Sequence, residues 1–542
     1  MEIEVILAIC MFLVAIGALL AGYPVAFTLG GVALIFAIIG ISLDVMSVND
    51  LKNLPSRIDG VMRNSVLVAV PFFVIMGVVL ERSRVAEDLL GIASRLLGQI
   101  RGGLGYAVVL VGALLAASTG IVGATVITMT LIALPTMLKQ GYDPKLATGI
   151  IASSGTLGQI IPPSIVLILL ADAIANASAQ ASNSLGGRAV SISVQDLFSG
   201  ALIPGLLLVG LYLCWIAFNA LTKPERCPPA DISDLPPLTA RQVIMGLGAP
   251  LALIFAVLGS ILLGITPPTE AAAIGAGGAV LLAGFRLSEG QQTRLRPLLF
   301  IGLASALLLL VLNANFELSV KLPTLTSVDK AAQLLAFVLV IGLLAGLGAG
   351  LFILRSARHL KSAFMSASHI TSMVFVILIG ASLFSLVFTG GFRGDEMIEG
   401  VLTAMPGGMW GALAITMLVM FVLGFFLDFI EIIFIIVPLV APPLIVLGVD
   451  PIWLAILMAL NLQTSFLTPP FGFALFYLRG AAPDSVQTLD IWRGALPFIG
   501  LQIVMIIAVA AIPALATWLP GLGAVSPSAV GGVPERERQT KQ

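Results

Sequence analysis

The stretch LGQIIPPSIVLILL (Leu157–Leu170) places two adjacent prolines inside an apolar run that is long enough to cross a bilayer. A second stretch, SFLTPPFGFALFYL (Ser465–Leu478), repeats the arrangement 307 positions later (469 minus 162). A proline pair removes two backbone hydrogen-bond donors and blocks the helical turn before it. Hydrocarbon offers the freed carbonyls and amides no partner, so they must line a cavity or bind a solute or ion. The two stretches therefore predict interrupted helices with binding sites at the interruptions.

The composition predicts an all-α polytopic membrane protein. Of the 542 residues, 59% are hydrophobic and 10% are charged, which is too apolar for a surface in water. Apolar runs of about 20 residues, the length that spans a bilayer, recur along the whole chain. The candidate spans are 4–22, 24–42, 63–80, 106–138, 146–173, 200–222, 245–264, 269–286, 298–316, 332–354, 371–390, 409–447, 453–478 and 495–518. Two of them, 106–138 and 409–447, are too long for one crossing.

An internal repeat links the two proline pairs. Aligning 131–170 with 438–477 without gaps superposes six residues that dictate backbone geometry. The matched pairs are Pro135 with Pro442, Gly141 with Gly448, Asp143 with Asp450, Pro144 with Pro451, Pro162 with Pro469 and Pro163 with Pro470. In each copy an over-long apolar segment comes just before the G-x-D-P turn, so we expect it to fold back as a re-entrant hairpin.

Basic residues orient the two copies. Arg101, Lys139 and Lys145 flank the first over-long segment, which by the positive-inside rule enters from the cytoplasm. The second contains no Lys or Arg between 406 and 451, and we expect it to enter from the opposite face. Inverted repeats with broken helices are the architecture of secondary transporters.

Each repeat carries residues suited to close approach of an ion or solute. Those of the first copy are Ser118, Gly120, Gly123 and Thr125 in the hairpin and Gly155, Gly158, Pro162, Pro163 and Ser164 at the break. Glycines admit a close backbone approach, and hydroxyl groups satisfy backbone groups that have left a helix. The alternatives are a simple proline kink at the break and helix packing through small residues in the hairpin.

The second copy adds charge in the segment GFFLDFIEIIFI (424–435). Asp428 and Glu431 lie three apart and share a face if the segment is helical. Because ionisable groups in a membrane are costly and by default functional, Asp428, near Gly424, is the stronger candidate cation ligand. Glu431 is open to three roles, as a protonated packing residue, a proton carrier or the partner of an arginine.

Several function classes are excluded by what the sequence lacks. There is no Walker or dinucleotide glycine pattern, no nucleophile elbow and no zinc-protease helix signature. We expect neither an enzyme nor a primary pump within this chain, no cofactor, and no nucleic-acid partner.

Five stretches carry a family resemblance. They are the run 70–170, which opens VPFFVIMGVVLERS and ends GQIIPPSIVLILL, then LFSGALIPGLLLVG (197–210), GITPPTEAAAIGA (264–276), GFFLDFIEIIFIIVPLVAPP (424–443) and FLTPPFGFALFYLRG (466–480). The ordered series, over most of 1–280 and 365–518, resembles the large membrane subunit of a tripartite ATP-independent periplasmic (TRAP) transporter.

The resemblance implies an elevator-type secondary transporter in the bacterial inner membrane, driven by an inward sodium gradient. A soluble periplasmic binding protein would deliver an organic acid, a carboxylate, and a separate four-helix membrane subunit would complete the scaffold. Carried onto this sequence, the resemblance implies two sodium sites. One would use Ser118, Gly120, Thr125, Gly155, Gly158 and Pro162, and the other Gly424, Asp428, Gln463, Thr464, Thr468 and Pro469, with Pro470 beside it.

The resemblance also divides the chain. The expected parts are N-terminal scaffold helices (1–105), a first hairpin with its interrupted helix (106–173), a connection and scaffold helices (174–286), an inserted two-helix segment (287–364), a scaffold helix (365–408), a second hairpin with its interrupted helix (409–480), a last helix (481–518) and a disordered tail (519–542). The insertion adds two spans that the usual large subunit lacks, and the external connection at 176–195 is longer than usual.

Three other functions compete. A stand-alone carboxylate transporter of the related elevator class would need no binding protein. A channel or a structural subunit would show no dependence on an ion gradient and gives no reason for paired helix breaks. A membrane enzyme is disfavoured because no nucleophile–base pair or metal set is present.

Overall fold

Helices form all the regular structure that the computed structural model describes, and no β-strand occurs among these residues. The described residues are 2–120, 122–184, 192–230, 237–288, 294–316, 318 and 327–523. Eleven helices in this part of the chain are long and apolar enough to cross a membrane, or up to thirteen if two bent pairs each count as one span. The prediction of an all-α polytopic membrane protein is confirmed.

The first half contains ten helices. They are α1 (Glu2–Leu20), α2 (Val25–Ser42), α3 (Leu54–Met62), α4 (Ala69–Arg82), α5 (Val85–Leu97), α6 (Gly103–Thr119), α7 (Val122–Lys139), α8 (Pro144–Thr156), α9 (Ile165–Ser184) and α10 (Val194–Thr222).

The remaining fourteen helices lie between residues 240 and 523. They are α11 (Ala240–Val243), α12 (Ala249–Leu262), α13 (Pro268–Leu287), α14 (Arg296–Asn315), α15 (Ser327–Ser356), α16 (His359–Ser385), α17 (Gly394–Thr403), α18 (Met409–Leu423), α19 (Phe429–Ile435), α20 (Val437–Val446), α21 (Pro451–Leu467), α22 (Phe473–Ala481), α23 (Thr488–Ala511) and α24 (Ala514–Gly523).

Both over-long segments are divided, as predicted. The first turns at Gly120, whose φ of +60° is a conformation that glycine adopts without strain, and returns as α7. The second leaves its helix after Leu423 and returns as two short helices, α19 and α20, which meet at an angle of 52°. That bend adjoins Pro438, which has no N–H to continue the preceding helix.

Both proline-pair segments are interrupted helices, also as predicted. α8 is separated from α9 by residues 157–164, and α21 from α22 by residues 468–472. The turns that enter them match as well. Asp143 and Asp450 accept hydrogen bonds from backbone N–H groups of the helices that follow, each with proline at the first helical position.

Two short amphipathic helices, α5 and α17, were not predicted, because each is shorter than a membrane span. Each begins just after an arginine in the left-handed conformation, Arg84 (φ +63°) and Arg393 (φ +51°). Each arginine pairs with the glutamate three residues on, at 4.0 Å for Glu87 and 2.5 Å for Glu396. The repeat therefore extends upstream of both hairpins.

Two predicted connections are partly helical. α9 continues to Ser184, because its sequence contains no proline or glycine between Pro163 and Gly186; residues 185–191 lie outside the described part. The connection between the candidate spans 24–42 and 63–80 contains a 3-10 turn (Val48–Asn53) and α3, and Ser47 and Asp50 cap the turn reciprocally.

The C-terminal prediction needs a similar correction. The single last helix predicted at 481–518 is two helices, α23 and α24, because Pro513 cannot donate a hydrogen bond to continue α23. α24 reaches Gly523, so the first residues of the predicted tail (519–542) are helical. Residues 524–542 lie outside the described part.

The inserted segment forms two long helices, α14 and α15. They pack on each other and on α13 through glycines: an added Cβ on Gly302 would lie 2.8 Å from the Cα of Gly346, and one on Gly350 would lie 3.0 Å from the carbonyl oxygen of Val280. Small residues that let helix backbones approach are the usual means of packing in membranes. A small separate apolar core, formed by Leu281 of α13 with Leu299 of α14 and Ile353 of α15, joins the insertion to α13.

Candidate ion and solute site at the helix breaks

The first break joins the carbonyl end of α8 to the amide end of α9. After Thr156 the chain tightens into a 3-10 turn, and it is not helical again until Ile165. The buried Ser164 hydroxyl donates to the carbonyl of Gln159 (3.3 Å) and accepts from the N–H of Leu167 (3.4 Å), which caps α9. A helix end rich in unpaired carbonyls suits a cation, and the amino end that follows suits an anion.

The second break has the same order of ends and two hydroxyl groups. The Thr464 side chain donates to the carbonyl of Leu460, and the Thr468 side chain donates to the carbonyl of Thr464, each at 2.7 Å. A hydroxyl that donates its proton to a carbonyl keeps lone pairs that can ligate a cation. Pro470 is exposed here, whereas Pro163 at the first break is buried.

Each hairpin turn lies against the break of its own repeat. A Cβ at Gly120 would lie 3.0 Å from the backbone nitrogen of Ile165, the first residue of α9. A Cβ at Gly424 would overlap the hydroxyl of Ser465, in the last turn of α21. Glycine at both turns therefore brings main chain of the hairpin into direct contact with the broken helix.

The two repeats also pack against each other. α7 packs against α22, and α19 and α20 pack against α9, so the returning arm of each hairpin contacts the interrupted helix of the other repeat. Tyr477 of α22 illustrates this arrangement. A Cβ at Gly123 would lie 2.9 Å from its ring, which is also within electrostatic reach of Asp428.

Asp428 begins the returning arm of the second hairpin. Its carboxylate accepts from the N–H of Phe429 (2.7 Å), while the Glu431 carboxylate accepts from the N–H of Asp428 (3.1 Å). The pair forms a capping box, a structural role that the sequence analysis did not include among its alternatives. A carboxylate has about four acceptor positions, so Asp428 can cap α19 and still bind a cation.

Thr156 and Gln463, which occupy equivalent positions of the two repeats, contact each other. The Gln463 amide donates to the Thr156 hydroxyl at 3.4 Å, and the two positions are 307 apart, the offset of the sequence repeat. Both side chains are fully buried. Equivalent residues of the two repeats therefore meet at the centre of the molecule.

Reciprocal helix crossings support the same relation. The motif Gly-Ala-Leu begins at Gly494 in α23 and at Gly200 in α10. A Cβ at Gly494 would overlap the carbonyl oxygen of Lys145 in α8, and one at Gly200 would lie 3.0 Å from Ile452 in α21. Lys145 and Ile452 are equivalent positions of the repeat, so each half packs its later helix on the interrupted helix of the other half.

A buried polar cluster surrounds the central pair. The Gln502 amide of α23 donates to the Tyr212 hydroxyl of α10 at 2.8 Å, and that hydroxyl also interacts with Thr156 and Gln463. Among the described residues, both amide atoms of Gln159 and the amide oxygens of Gln463 and Gln502 are buried without a hydrogen-bond partner. Buried polar atoms are nearly always paired, so these four indicate a place for water, an ion or a solute.

A family model described as "Tripartite ATP-independent periplasmic transporter, DctM component" matches residues 10–331 and 286–515. The chain belongs to this family. As a member of a family of transporters it is not an enzyme, which confirms that prediction.

Individual proteins that are similar to this chain include permease proteins of TRAP transporters. A C4-dicarboxylate TRAP transporter large permease protein of Vibrio cholerae is 28% identical over 518 residues, covering 94% of this chain and 97% of the relative. An isethionate TRAP transporter permease protein of Oleidesulfovibrio alaskensis is 25% identical and covers 93% of this chain and 65% of the relative. The crystal structure of the Alcanivorax borkumensis YdaH transporter has the same fold, with a TM-score of 0.52 at 16% identity over 88% of this chain and 90% of that one.

The residues predicted for each TRAP sodium site lie in neighbouring elements of one repeat. Gly155 lies against Val126, the residue after Thr125, where α7 packs on α8, and Gly120 lies against Ile165 at the start of α9. Gly424 adjoins the break that holds Thr464 and Thr468. The side chain of Ser118 lies outside the described part, and Gly158, Pro162 and Ser164 lie within or beside the first break.

Sequence reasoning missed Gln159, Tyr212, Gln502 and Tyr477. Three of them, Gln159, Tyr212 and Gln502, are buried polar side chains within apolar runs. In membrane helices such residues form contacts between helices, and that signal was available in the sequence. The sequence did not show that these residues lie close together, because α10 and α23 are distant in the chain from the breaks.

The Tyr212–Gln502 hydrogen bond gives a stability prediction. Tyr212→Phe leaves the Gln502 amide without its partner, and we expect a loss of about 1 kcal/mol of unfolding free energy. The double change Tyr212→Phe with Gln502→Met removes both partners and should recover part of that loss. Thermal unfolding in detergent measures both effects.

Tyr23→Phe, at an exposed tyrosine, is the control and should leave the unfolding free energy unchanged. A double variant that is less stable than Tyr212→Phe would contradict the pairing of Tyr212 with Gln502.

Proposed function

We propose that this chain is the permease subunit of a sodium-coupled uptake system for a small organic acid, located in the bacterial inner membrane. A periplasmic binding protein delivers the solute, and a small four-helix membrane subunit on a separate chain completes the scaffold. The observation that carries the proposal is the meeting of two glycine-tipped hairpins and two interrupted helices around a two-fold pair of buried polar residues.

The ends of the broken helices support binding of both an ion and an acid. Sodium would bind in each repeat between the hairpin turn and the carbonyl end of α8 or α21. At the second break the threonine hydroxyls and Asp428 add oxygen ligands. The amino ends of α9 and α22 would attract the carboxylates of the solute.

Sites near the turn of each repeat would use the residues that the resemblance implies. The first comprises Ser118, Gly120, Thr125, Gly155, Gly158 and Pro162, and the second comprises Gly424, Asp428, Gln463, Thr464, Thr468 and Pro469, with Gly123, Pro163, Ser164 and Pro470 adjoining them. No cofactor enters the proposed mechanism, in which sodium is the coupling ion.

The solute class rests on relatives and on a cavity. Relatives that cover most of this chain are named for C4-dicarboxylates, so a C4-dicarboxylate is the first solute to test. A cavity of about 560 Å³ separates α9 from α3 and α16, and it is lined by Arg57, Asn64, Asn176 and Ser382 among others. Asp172 also lines this cavity, and its carboxylate accepts hydrogen bonds from the amides of Asn64 and Asn176, so Arg57 is the residue that would attract a carboxylate in transit.

An elevator motion is supported by the way the hairpins are attached. In this proposal 106–173 and 409–480 move as one transport domain, because their helices pack across the repeats. The crossings of α10 on α21 and of α23 on α8 are too close to slide, so these two helices would move with the transport domain. The parts 1–105, 287–364 and 365–408 and the rest of 174–286 and 481–518 would remain as scaffold. The amphipathic helices α5 and α17 lead into the two hairpins from Arg84 and Arg393, and these two positions would serve as the matched hinges.

Uptake into proteoliposomes tests the proposal. Vesicles holding this chain and the small subunit are given radiolabelled succinate, with and without the binding protein and with sodium or choline outside. We expect uptake only with sodium and the binding protein together, since each sodium ion entering down a tenfold gradient contributes about 1.4 kcal/mol. Equal uptake in choline would contradict sodium coupling, and full uptake without the binding protein would favour the stand-alone carboxylate transporter.

A further inference from the structure

A second, larger cavity lies away from the helix breaks. It has a volume of about 690 Å³ and is enclosed by α5, the start of the α11–α12 helix, the end of α13 and the start of α14. A π-helical turn (Ile244–Gly248) between α11 and α12 forms part of its wall, a feature often found at functional sites. Since α14 belongs to the inserted segment, the insertion completes this cavity.

The cavity has an excess of positive charge. Four arginines line it, Arg95, Arg241, Arg286 and Arg296, against two carboxylates, Glu87 and Asp88. Asp88 is already engaged, because both of its oxygens accept hydrogen bonds from the Arg286 guanidinium. Two positive charges in excess of the carboxylates are therefore left to meet an anion.

Arg241 and Arg296 are the residues placed to receive that anion. The Nε of Arg296 is buried and has no hydrogen-bond partner among the described residues. Arg296 is also the first residue of α14, a 20-residue helix whose amino end borders the cavity. Pro297 has no N–H, and the N–H groups of Leu298 and Leu299 donate to the carbonyl of Leu295, so the N–H of Arg296 is the one that this helix end offers to an anion. Arg241 is exposed and forms no ion pair within the described part of the chain.

The wall on the side of α14 is apolar and continues to the outer surface. Phe300 and Leu303 line the cavity and are 51% and 41% exposed, one and two turns from Arg296 on the same helix. Phe285 of α13 contacts Phe300 directly, with ring centroids 4.8 Å apart, and Leu282 of α13 extends the apolar wall. A cavity that is positively charged at its inner end and apolar where it opens to the surface suits a molecule with a phosphate at one end and hydrocarbon at the other.

We propose that this cavity binds an anionic phospholipid. The phosphate is held by Arg241, Arg296 and the amino end of α14, and an acyl chain lies along Phe300 and Leu303. The lipid fills the space between α14 of the insertion and helices α5, α12 and α13, so it joins the insertion to α5, the helix that leads into the first hairpin.

Lipid titration of the full-length protein tests the proposal. Native mass spectrometry in detergent would compare dioleoyl phosphatidylglycerol with dioleoyl phosphatidylcholine, which has the same acyl chains and no net charge. We expect the wild type to prefer the anionic lipid, and the double variant Arg241→Gln with Arg296→Gln to lose about 30-fold of that affinity. Arg241→Gln alone changes an exposed side chain, leaves folding intact and should lose about 5-fold.

The control is Arg355→Gln, an exposed arginine of the same charge at the end of α15 and outside the cavity, which should leave lipid affinity unchanged. Equal affinity of the wild type for the two lipids would overturn the proposal. So would an Arg355→Gln loss as large as that of the double variant. If inorganic phosphate alone raised the unfolding temperature as much as the anionic lipid does, the site would be one for free phosphate and the lipid proposal would be wrong.

Discussion

Asp428→Asn should lower sodium-dependent uptake by at least about tenfold while leaving the fold intact. Asparagine caps a helix as well as aspartate does, so the bond to the Phe429 N–H survives and the unfolding temperature should stay within about 2 °C of the wild type. What the change removes is the negative charge next to the second break. The initial rate of uptake against sodium concentration is the measurement, and we expect the sodium concentration for half-maximal rate to rise.

Asp450→Asn is a matched control for that result. Asp450 also caps a helix, accepting from the N–H of Trp453 at 2.9 Å, but it lies at the far end of α21 from the break. The same chemical change there should leave the sodium response unchanged. A wild-type sodium response in Asp428→Asn would mean that Asp428 is only a cap, and the second sodium site as proposed would be wrong.

Gly494→Ala should cost about 3 kcal/mol of stability, a large effect for one methyl group. The new methyl would overlap the carbonyl oxygen of Lys145 and lie 3.0 Å from the Thr148 hydroxyl, where α23 crosses α8. Because the obstruction is backbone, no side-chain rotation can relieve it. Gly200→Ala should behave similarly, since its Cβ would lie 2.7 Å from the carbonyl oxygen of Ala516 in α24, beside the reciprocal crossing where it would lie 3.0 Å from Ile452 of α21.

Gly500→Ala in α23 and Gly210→Ala in α10 are controls on the same helices. A Cβ at either position meets nothing within 4 Å, and alanine is the better helix former, so stability should stay the same or rise by up to about 1 kcal/mol. Thermal unfolding and monodispersity in detergent compare these controls with Gly494→Ala and Gly200→Ala. If Gly494→Ala were as stable as Gly500→Ala, the two halves would not be locked together through this crossing.

The sequence predicted the parts of the fold that single residues dictate. Proline pairs, the G-x-D-P turns and the over-long apolar runs located both breaks and both hairpins, because proline and glycine restrict the backbone whatever surrounds them. The short amphipathic helices α5 and α17 were missed, since their 13 and 10 residues fall below the length of a membrane span.

The candidate site was predictable within each repeat but not between repeats. Gly424, Thr464 and Thr468 come together because a hairpin packs on the helix that directly follows it. The contribution of Tyr212 and Gln502 depends on how α10 and α23 cross the other half, which is settled by close contacts such as that of Gly494. Local sequence patterns contain no record of such long-range crossings.

The unlike partners Thr156 and Gln463 make the two halves complementary rather than interchangeable. A protein assembled from two copies of the first half would set two short hydroxyl side chains against each other, and two copies of the second half would crowd two long amides into the same buried space. The 3.4 Å contact needs one short and one long side chain, so the two halves fit together at this point because they differ there.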